Sequence, residues 1–550
     1  MTHEMLEAIR SKVGKETQKH QYGNALFWAD KAISLGGGDP KDIFTFVNLL
    51  YLRGEYHRAE YFIQTNRLHV TFYGAYLIAK CQAARGDWNE AKDTLEVLPE
   101  PSPLAPPPLY TVGVMTEQEL MASVYLLKGT VFQALDNHQF AAQCFKLALK
   151  EDPYCVEAYE NLVYNHYYTG KCEEEIISDT IDNSDDLTTE EADLIRFLYS
   201  GMSKKYHNQQ KQVVPNTLTC FSNNVTVLTS QSERLYYNCR FNSSYETCLR
   251  ALKIDPYHFP TLLVHIGCLY ELGKKNDLFI LGHKLVDLYP KAYISWYAVG
   301  IYYSLIKKWE SARQCLSKST SLNKLFAAGW LAYGHAFAAE GENDQALATY
   351  FTASRLLKGC HLPLLYIGLQ YGSTNNPLLA EKFFKEAKEL APQDPFVLSE
   401  MGALYTQIGK YEYALSYLQQ ALSKVKDGEH EWAAATWSPL YINLGQVYRI
   451  HKQYVQAIKC FKHAQFLACD SSTVYTGLAF VYALQGNALL AVEYCHKALD
   501  KERQDPFTIQ LLEMSLTALA GNEDRSDDEE IEAEEIKEHK LLAAMTPTVF

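Results

Sequence analysis

The sequence predicts an all-α fold, a superhelical solenoid of helix-turn-helix repeats, and three observations support it. The first is a set of glycines that stand 34 residues apart, Gly300, Gly334, Gly368 and Gly402. The second is a set of alanines that keep the same step twelve places later, Ala312, Ala346, Ala380 and Ala414. The third is composition, because 47% of the 550 residues are apolar and 13% are aromatic, which is enough to fill a continuous core.

A period of 34 residues is typical of the tetratricopeptide (TPR) repeat, in which each helix pair is covered by the next. Small residues at two fixed places let the paired helices cross closely, and large residues such as Trp296, Val299 and Tyr303 mark one helix face. The pattern resumes after a nine-residue slip within residues 426–437. Upstream, it predicts a looser unit with Gly267 and Phe279 at the glycine and alanine places.

Composition along the chain predicts six segments. They are an N-terminal TPR array at 1–98, a proline-rich loop at 99–121, further TPR units at 122–202, a polar insertion at 203–226, a C-terminal TPR superhelix with a peptide groove at 227–520, and an acidic tail at 521–550. The prolines of residues 99–108 exclude a helix. Residues 521–540 carry ten acidic and three basic side chains, half of the net charge of −14. Such a run is either a solvated, disordered tail or a docking element for a basic partner.

Several classes of protein are disfavoured. No apolar run reaches the ~20 residues of a membrane span, and the first residues do not resemble a signal peptide. Thirteen scattered cysteines without a Cys-x-x-Cys pair indicate reduced thiols inside a cell. We therefore expect neither a membrane nor a nucleic acid as partner.

No motif predicts catalysis. Residues 267–274 have two glycines and a lysine, but the spacing is wrong for a phosphate-binding loop. His265 with Cys268, and Cys460 with His463, lie one helical turn apart, yet zinc needs three or four ligands, so we interpret both pairs as core packing. The sequence predicts no enzyme activity, no cofactor and no metal site.

Function is therefore expected on a surface. In a TPR array the first helices line a concave groove, at the second, fifth, ninth and twelfth places of each repeat. These places hold Ile294, Tyr297, Ile301, Leu331, His335, Leu365, Leu369, Ser399, Ala403, Thr406, Ile442, Gln446, Arg449, Thr476 and Phe480. Their mostly apolar character predicts a trough open to water that takes an extended or helical peptide, although any one residue could instead pack between repeats.

A carboxylate clamp of the co-chaperone type is disfavoured by the same lining. Such a clamp needs Lys and Asn at successive groove places, because a carboxylate is bound by cationic and amide donors. Here these places hold Tyr, Ile, Leu and His instead.

Specific segments outside the repeat consensus resemble one known family. Residues 25–31, 56–59, 236–239, 283–290, 358–363, 365–368 and 374–376 are similar to the "cell division cycle sixteen" family, the sixth-numbered subunit of the anaphase-promoting complex or cyclosome. The resemblance covers both arrays in order. The short acidic tail does not follow the family, so nothing is carried over to it.

The resemblance implies a non-catalytic scaffold of a ubiquitin ligase, in the nucleus and cytoplasm. It further implies a homodimer through the N-terminal repeats, with Phe27, Trp28, Tyr51, Tyr56 and His57 in the dimerising array, although Phe27 and Trp28 could instead be core. It also implies that the C-terminal groove encloses the N-terminal segment of a very small subunit, beside other TPR and scaffold subunits. A sister subunit of the complex and an unrelated TPR adaptor remain alternatives.

Overall fold

A computed structural model describes residues 2–98, 117–182, 187–204, 216–427, 435–467 and 471–521. Most of the proline-rich loop, residues 205–215 of the polar insertion and the acidic tail from residue 522 therefore lie outside the described residues. The chain divides into two compact units, Met1–Tyr168 with Cys172–Met202, and Thr169–Lys171 with Ser203–Phe550. Within the described part, every regular element is helical, and none of its helices is both long enough and apolar enough to cross a membrane.

Eleven α-helices precede residue 203. They are α1 (Thr2–Gln18), α2 (Tyr22–Leu35), α3 (Pro40–Arg53), α4 (Tyr56–Thr65), α5 (Phe72–Arg85), α6 (Trp88–Glu96), α7 (Glu117–Ala134), α8 (His138–Glu151), α9 (Val156–Tyr164), α10 (Gly170–Asp182) and α11 (Thr189–Met202). A short 3-10 helix, Leu68–Val70, joins α4 to α5. Because α7 begins at Glu117, the end of the predicted proline-rich loop is helical.

The second unit contains the remaining helices. They are α12 (Val225–Tyr237), α13 (Phe241–Ile254), α14 (Phe259–Glu271), α15 (Lys275–Leu288), α16 (Tyr293–Leu305), α17 (Trp309–Leu322), α18 (Ala327–Ala338), α19 (Asn343–Leu356), α20 (Leu362–Ser373), α21 (Pro377–Leu390), α22 (Pro395–Ile408), α23 (Tyr411–Asp427), α24 (Ser438–Ile450), α25 (Tyr454–Leu467), α26 (Ser472–Leu484), α27 (Ala488–Lys501) and α28 (Pro506–Gly521). Two 3-10 helices, Asn216–Asn223 and Ala435–Trp437, precede α12 and α24.

Helix crossing in each repeat depends on the glycines found in the sequence. A Cβ on Gly300 would lie 2.7 Å from Leu316 Cγ, and one on Gly402 would lie 2.5 Å from Leu418 Cγ. In every case the neighbour is the residue sixteen places later, on the second helix of the same repeat. The alanines at the second small place are fully buried, as at Ala312 and Ala346. The TPR solenoid predicted from the 34-residue period is confirmed.

The turn within each repeat gives a second, independent record of the period. A residue with left-handed backbone recurs every 34 residues, at Cys239, Gly273, Lys307, Gly341, Asn375 and Gly409, with φ between 58° and 83°. The next two such residues are Lys452 and Gly486, so one step is nine residues longer. This confirms the predicted slip between the repeats of α22–α23 and α24–α25.

The predicted register of the upstream unit is wrong by one residue. Gly273 occupies the left-handed turn, so the places of Gly300 and Ala312 are taken there by Ile266 and Leu278, both fully buried. Phe279 is instead 44% exposed. Gly267 misled the alignment because it makes a different close approach, with its Cβ position 3.0 Å from the ring of Tyr236.

Candidate protein-binding sites

The fifteen predicted groove residues lie on the first helices of the C-terminal repeats, α16, α18, α20, α22, α24 and α26. Eight are buried, namely Ile294, Tyr297, Ile301, Leu331, Leu365, Ser399, Arg449 and Phe480. Six are half-buried, namely His335, Leu369, Ala403, Thr406, Ile442 and Thr476, and Gln446 is exposed. That these residues contact a ligand stays a prediction.

The expected apolar trough open to water is not found. Ile301 and Leu331 are 8% and 9% exposed, and Leu365 and Phe480 are each 4% exposed. Their side chains pack into the clusters between repeats, because the first helices of successive repeats, such as α16 and α18, contact each other. Of the five residues expected to form the trough, only Leu369 leaves part of its side chain accessible.

Four residues that the sequence analysis did not select meet in the interior of the second unit. Burial raises the pKa of Tyr236 strongly, and the Glu271 carboxyl and Tyr366 raise it further. Burial also raises the pKa of Tyr366 to about 12, with Asp394 and Glu400 adding to the effect. These side chains come from α12, α14, α20 and α22, so distant repeats of this unit face one another around an enclosed, polar and aromatic interior.

The same closure is seen at Cys239, which lies in the turn after α12. Its side chain shares a hydrophobic cluster with Val397 and Trp437, and burial raises its pKa to about 12. The start of the C-terminal superhelix therefore packs against repeats about 200 residues later in the sequence.

A wider helix face would have found the missing residues. Tyr366 and Glu400 occupy the sixth place of their repeats, directly beside the predicted Leu365 and Ser399. Since the face that a helix turns toward its partners is at least about 100° wide, a choice limited to four places per repeat is too narrow.

The interior contains two carboxylates without a counter-charge. Burial raises the pKa of Glu400 to about 7 and also raises that of Glu271. Neither side chain forms an ion pair or a hydrogen bond with the described residues. An enclosed carboxylate is costly unless it is protonated or meets donors. The interior therefore favours a ligand that brings hydrogen-bond donors or positive charge.

A neutral histidine lies in the same interior. The Nδ1 atom of His335 is 2.7 Å from the hydroxyl of Tyr350, and its ring centroid is 4.3 Å from that of Tyr366. Burial lowers the pKa of His335 to about 4. The imidazole is uncharged at neutral pH and cannot offset the charge of Glu400.

An ion pair at the buried helix starts supports this arrangement. His361 Nε2 lies 2.6 Å from Asp394 Oδ2, and both side chains are 1% exposed. The other carboxylate oxygen of Asp394 accepts a hydrogen bond from the backbone N–H of Phe396 at 2.9 Å, which caps α22. The pair joins the beginning of α20 to that of α22.

The predicted dimer residues lie on the first helices of the first unit. Phe27 is 58% exposed and Trp28 is 36% exposed, and their rings meet edge to face with centroids 5.3 Å apart. Tyr51 and Tyr56 are half-buried with centroids 5.4 Å apart, and His57 is exposed. The core reading of Phe27 and Trp28 is therefore wrong, while their role in a dimer stays a prediction.

The two candidate ligand pairs are packed in the array. His265 stacks on Tyr245 with ring centroids 5.3 Å apart, and Cys268 Sγ contacts Ser244 Oγ at 3.2 Å. His463 meets the ring of Tyr441 edge to face at 4.3 Å. In the described part of the chain, no three His, Cys, Asp or Glu side chains are grouped so that they could hold a metal ion.

Helix pairs stacked at a constant period around a polar interior define a TPR repeat protein, and comparison with known proteins agrees. A family model described as "Tetratricopeptide repeat" matches residues 397–431. Another, described as "Anaphase-promoting complex, cyclosome, subunit 3", matches residues 18–98.

Relatives along most of the chain define the family. The chain is 40% identical over 521 residues to the cell division cycle protein 16 homolog of Homo sapiens, which is 92% of this chain and 83% of that protein. It is 32% identical over 542 residues to anaphase-promoting complex subunit 6 of Arabidopsis thaliana, 94% of this chain and 97% of that protein. The chain therefore belongs to the cell division cycle protein 16 family.

A solved structure agrees with this assignment. The crystal structure of the anaphase-promoting complex hetero-tetramer of Cut9 and Hcn1 superimposes with a TM-score of 0.77 at 29% identity, covering 93% of this chain and 96% of that one. The resemblance found in the sequence is confirmed. The alternatives, a sister subunit and an unrelated adaptor, are set aside.

Proposed function

We propose that this chain is a scaffold subunit of the anaphase-promoting complex, in nucleus and cytoplasm, and that it catalyses no reaction itself. Membership of the family supports this proposal, because relatives carry the name of a subunit of that complex. The observation that carries it is the enclosed interior of the second unit, where Glu271 and Glu400 lack partners. A surface built in this way serves to bind a protein segment.

The proposed occupant of this interior is the N-terminal segment of a small subunit of the same complex. An extended segment can thread between the facing repeats, and donors on it can meet the two carboxylates. The similar crystal structure supports the idea that a family member binds a second protein, since it contains Cut9 together with Hcn1. Charged groups held together in an enclosed interior are worth more than the same contact in water.

Purification of the full-length protein from its own cells tests the proposal. A tagged chain should bring down other subunits of the anaphase-promoting complex, and their absence would overturn the scaffold role. Glu400→Gln removes the negative charge but keeps the shape, so we expect it to lower recovery of the small subunit several-fold. Exposed Glu412 offers a matched control, since Glu412→Gln makes the same chemical change outside the interior.

Homodimerisation through the first unit is the second part of the proposal. Phe27 and Trp28 leave adjacent aromatic rings exposed, with Leu52 and Tyr61 of the same array also more than half exposed. Exposed apolar groups of this kind mark interaction surfaces when they form one patch. The hetero-tetramer of Cut9 and Hcn1 has four chains of two kinds, so at least one kind occurs more than once.

The lack of catalysis is tested separately. Burial raises the pKa of Cys81 and Cys239 to about 12, and of Cys495 to about 11, so these thiols are poor nucleophiles at neutral pH. We expect no ubiquitin thioester on the purified chain in the presence of activating and conjugating enzymes. A thioester that is sensitive to reducing agent would contradict this part of the proposal.

A further inference from the structure

Helix α25 presents an exposed stripe that alternates apolar and cationic side chains. Val455, Lys459, Lys462 and Phe466 follow one another at spacings of four, three and four residues, which places them on one helix face. Val455 is 63% exposed and Phe466 is 69% exposed, and both lysines are exposed. Neither lysine forms an ion pair with a described residue. We call these four residues the α25 stripe.

The charge around this stripe is positive. Helices α24, α25 and α26 contain no Asp or Glu at all. Lys426, at the end of α23, is close enough to act on His463, whose pKa is lowered by burial and then by this lysine. Over residues 203–521 the chain has 31 basic and 25 acidic side chains, a net charge of +6.

The equivalent stripe on α21 shows what a compensated surface looks like. Its four places hold Leu378, Lys382, Lys385 and Glu389, so the last place is acidic rather than apolar. Lys385 is also paired, with its Nζ atom 2.6 Å from Glu381 Oε1. The α25 stripe lacks both features, which leaves its two cations and two apolar ends available.

We propose that the acidic tail of the same chain binds along the α25 stripe, with Ile531 and Ile536 on its apolar ends and the glutamates between them on its lysines. Val455 and Phe466 are eleven residues apart, about 16 Å along a helix. Ile531 and Ile536 are five residues apart, also about 16 Å in an extended strand. Glu532, Glu534 and Glu535 lie between the two isoleucines, opposite Lys459 and Lys462.

The tail begins close enough to reach this place. It follows α28, which packs on α26 and α27, while α25 packs on α26. Two helix-to-helix steps amount to about 20 Å, and the ten residues from Gly521 to Ile531 can span about 33 Å. Because the segment is tethered, its effective concentration is on the order of millimolar, so a weak contact is enough. The net charge of −7 over residues 521–540 complements the +6 of the array.

Zero-length crosslinking of the full chain tests the proposal. A carbodiimide joins a lysine to a carboxylate only when the two are in contact, and mass spectrometry identifies the joined peptides. We expect Lys459 and Lys462 to be joined to residues 532–535, with a yield at least fivefold above that of Lys382 and Lys385. Salt at about 1 M should remove the difference, because it shortens the screening length to about 3 Å.

Two matched variants test the apolar anchors without changing any crosslinkable group. Ile531→Ser with Ile536→Ser should lower the yield at Lys459 and Lys462 several-fold, whereas Leu541→Ser with Leu542→Ser should leave it unchanged. An equal effect of the two double variants, or none, would overturn the proposed register.

Three other results would overturn the proposal itself. In the first, the stripe lysines are joined only to the nearby loop acids Glu429 and Glu431, which then occupy the stripe instead. In the second, a mixture of chains labelled with different nitrogen isotopes gives these crosslinks only between chains. In the third, the tail is joined evenly to all lysines, which would show a contact without a defined site.

Discussion

The ring of Tyr350 fills the space that a side chain on Gly334 would need. The place of the missing Cβ is occupied by the edge of this ring, with ring atoms at 2.7 Å and closer. Tyr350 cannot easily move away, because its hydroxyl bonds to His335 at 2.7 Å and its ring stacks on Tyr366 with centroids 5.6 Å apart. The helix crossing of this repeat and the interior of the superhelix are therefore mechanically joined.

The first prediction concerns this contact. Gly334→Ala should destabilise the second unit by about 1–3 kcal/mol, because the added methyl must displace a ring that is held on two sides. Gly372→Ala is the control, since nothing lies within 4 Å of its Cβ position. There, alanine should be neutral or stabilise the helix by about 0.5 kcal/mol. Urea unfolding of the full chain measures both, and equal effects would contradict the crossing described here.

The second prediction concerns the pH dependence of stability through Glu400. Burial raises the pKa of this carboxyl from 4.5 to about 7, so the folded chain binds more protons than the unfolded chain between these values. Stability should therefore fall as pH rises from 4.5 to 7, and the loss should persist above pH 7. Glu400→Gln should remove this contribution and stabilise the free chain at pH 8 by about 2 kcal/mol.

The measurement is thermal or urea unfolding of both chains between pH 5 and 8. His335 has to be separated from this effect, because its pKa is lowered to about 4 and its contribution has the opposite sign. Below pH 6.5 the unfolded chain binds the proton more readily than the folded chain, so His335 makes stability rise with pH. A difference between Glu400→Gln and the unaltered chain that does not change with pH would refute the assignment to Glu400.

Much of this architecture could be predicted because TPR packing depends on small residues that are visible in the sequence. Gly300, Ala312 and their equivalents give the fold, the period and the nine-residue slip. The register failed only at Gly267, where a glycine serves a contact with Tyr236 instead of the helix crossing.

The site was harder to predict because it depends on contacts between distant repeats. The 34-residue period says which face turns inward but not how tightly successive first helices close over it, so Ile301 and Phe480 were expected to be open and are buried. Nothing local marks Glu271 and Glu400 as neighbours of the same tyrosines, since they belong to repeats far apart in the chain. That relationship appears only when the superhelix is closed.

The third prediction is that Phe27→Asp converts a dimer to a monomer. A carboxylate placed on the exposed Phe27–Trp28 pair would have to be desolvated in the interface, which costs several kcal/mol unless it finds a partner. Phe140→Asp is the control, because Phe140 is 55% exposed on α8, further along the first unit. Light scattering at tens of micromolar measures the mass, and a monomeric unaltered chain would refute the dimer.

Salt gives an independent check of the same interface. Residues 1–202 carry 17 basic and 30 acidic side chains, a net charge of −13, so two copies repel each other. Raising the salt concentration screens this repulsion and should tighten the dimer. Dissociation by salt would instead indicate an interface held by ion pairs, which the exposed aromatic residues do not suggest.

The fourth prediction is that Leu369→Glu weakens binding of the small subunit with little change in helix content. Leu369 is half-buried on α20, and it is the one residue of the expected trough that keeps part of its surface accessible. A third carboxylate would join Glu271 and Glu400 on the inner helices, and an apolar contact with the partner would be lost. Leu378→Glu is the control, because Leu378 is 81% exposed on the second helix of the same repeat.

Stability in the presence of partner separates the two possible roles of Leu369. A ligand at one hundred times its dissociation constant stabilises the folded chain by about 2.7 kcal/mol, and in a solenoid this gain spreads to neighbouring repeats. Leu369→Glu should lose most of the gain, and Leu378→Glu should keep it. If Leu369→Glu leaves partner affinity unaltered while the circular dichroism signal holds, the side chain does not face the ligand and the predicted groove register is wrong.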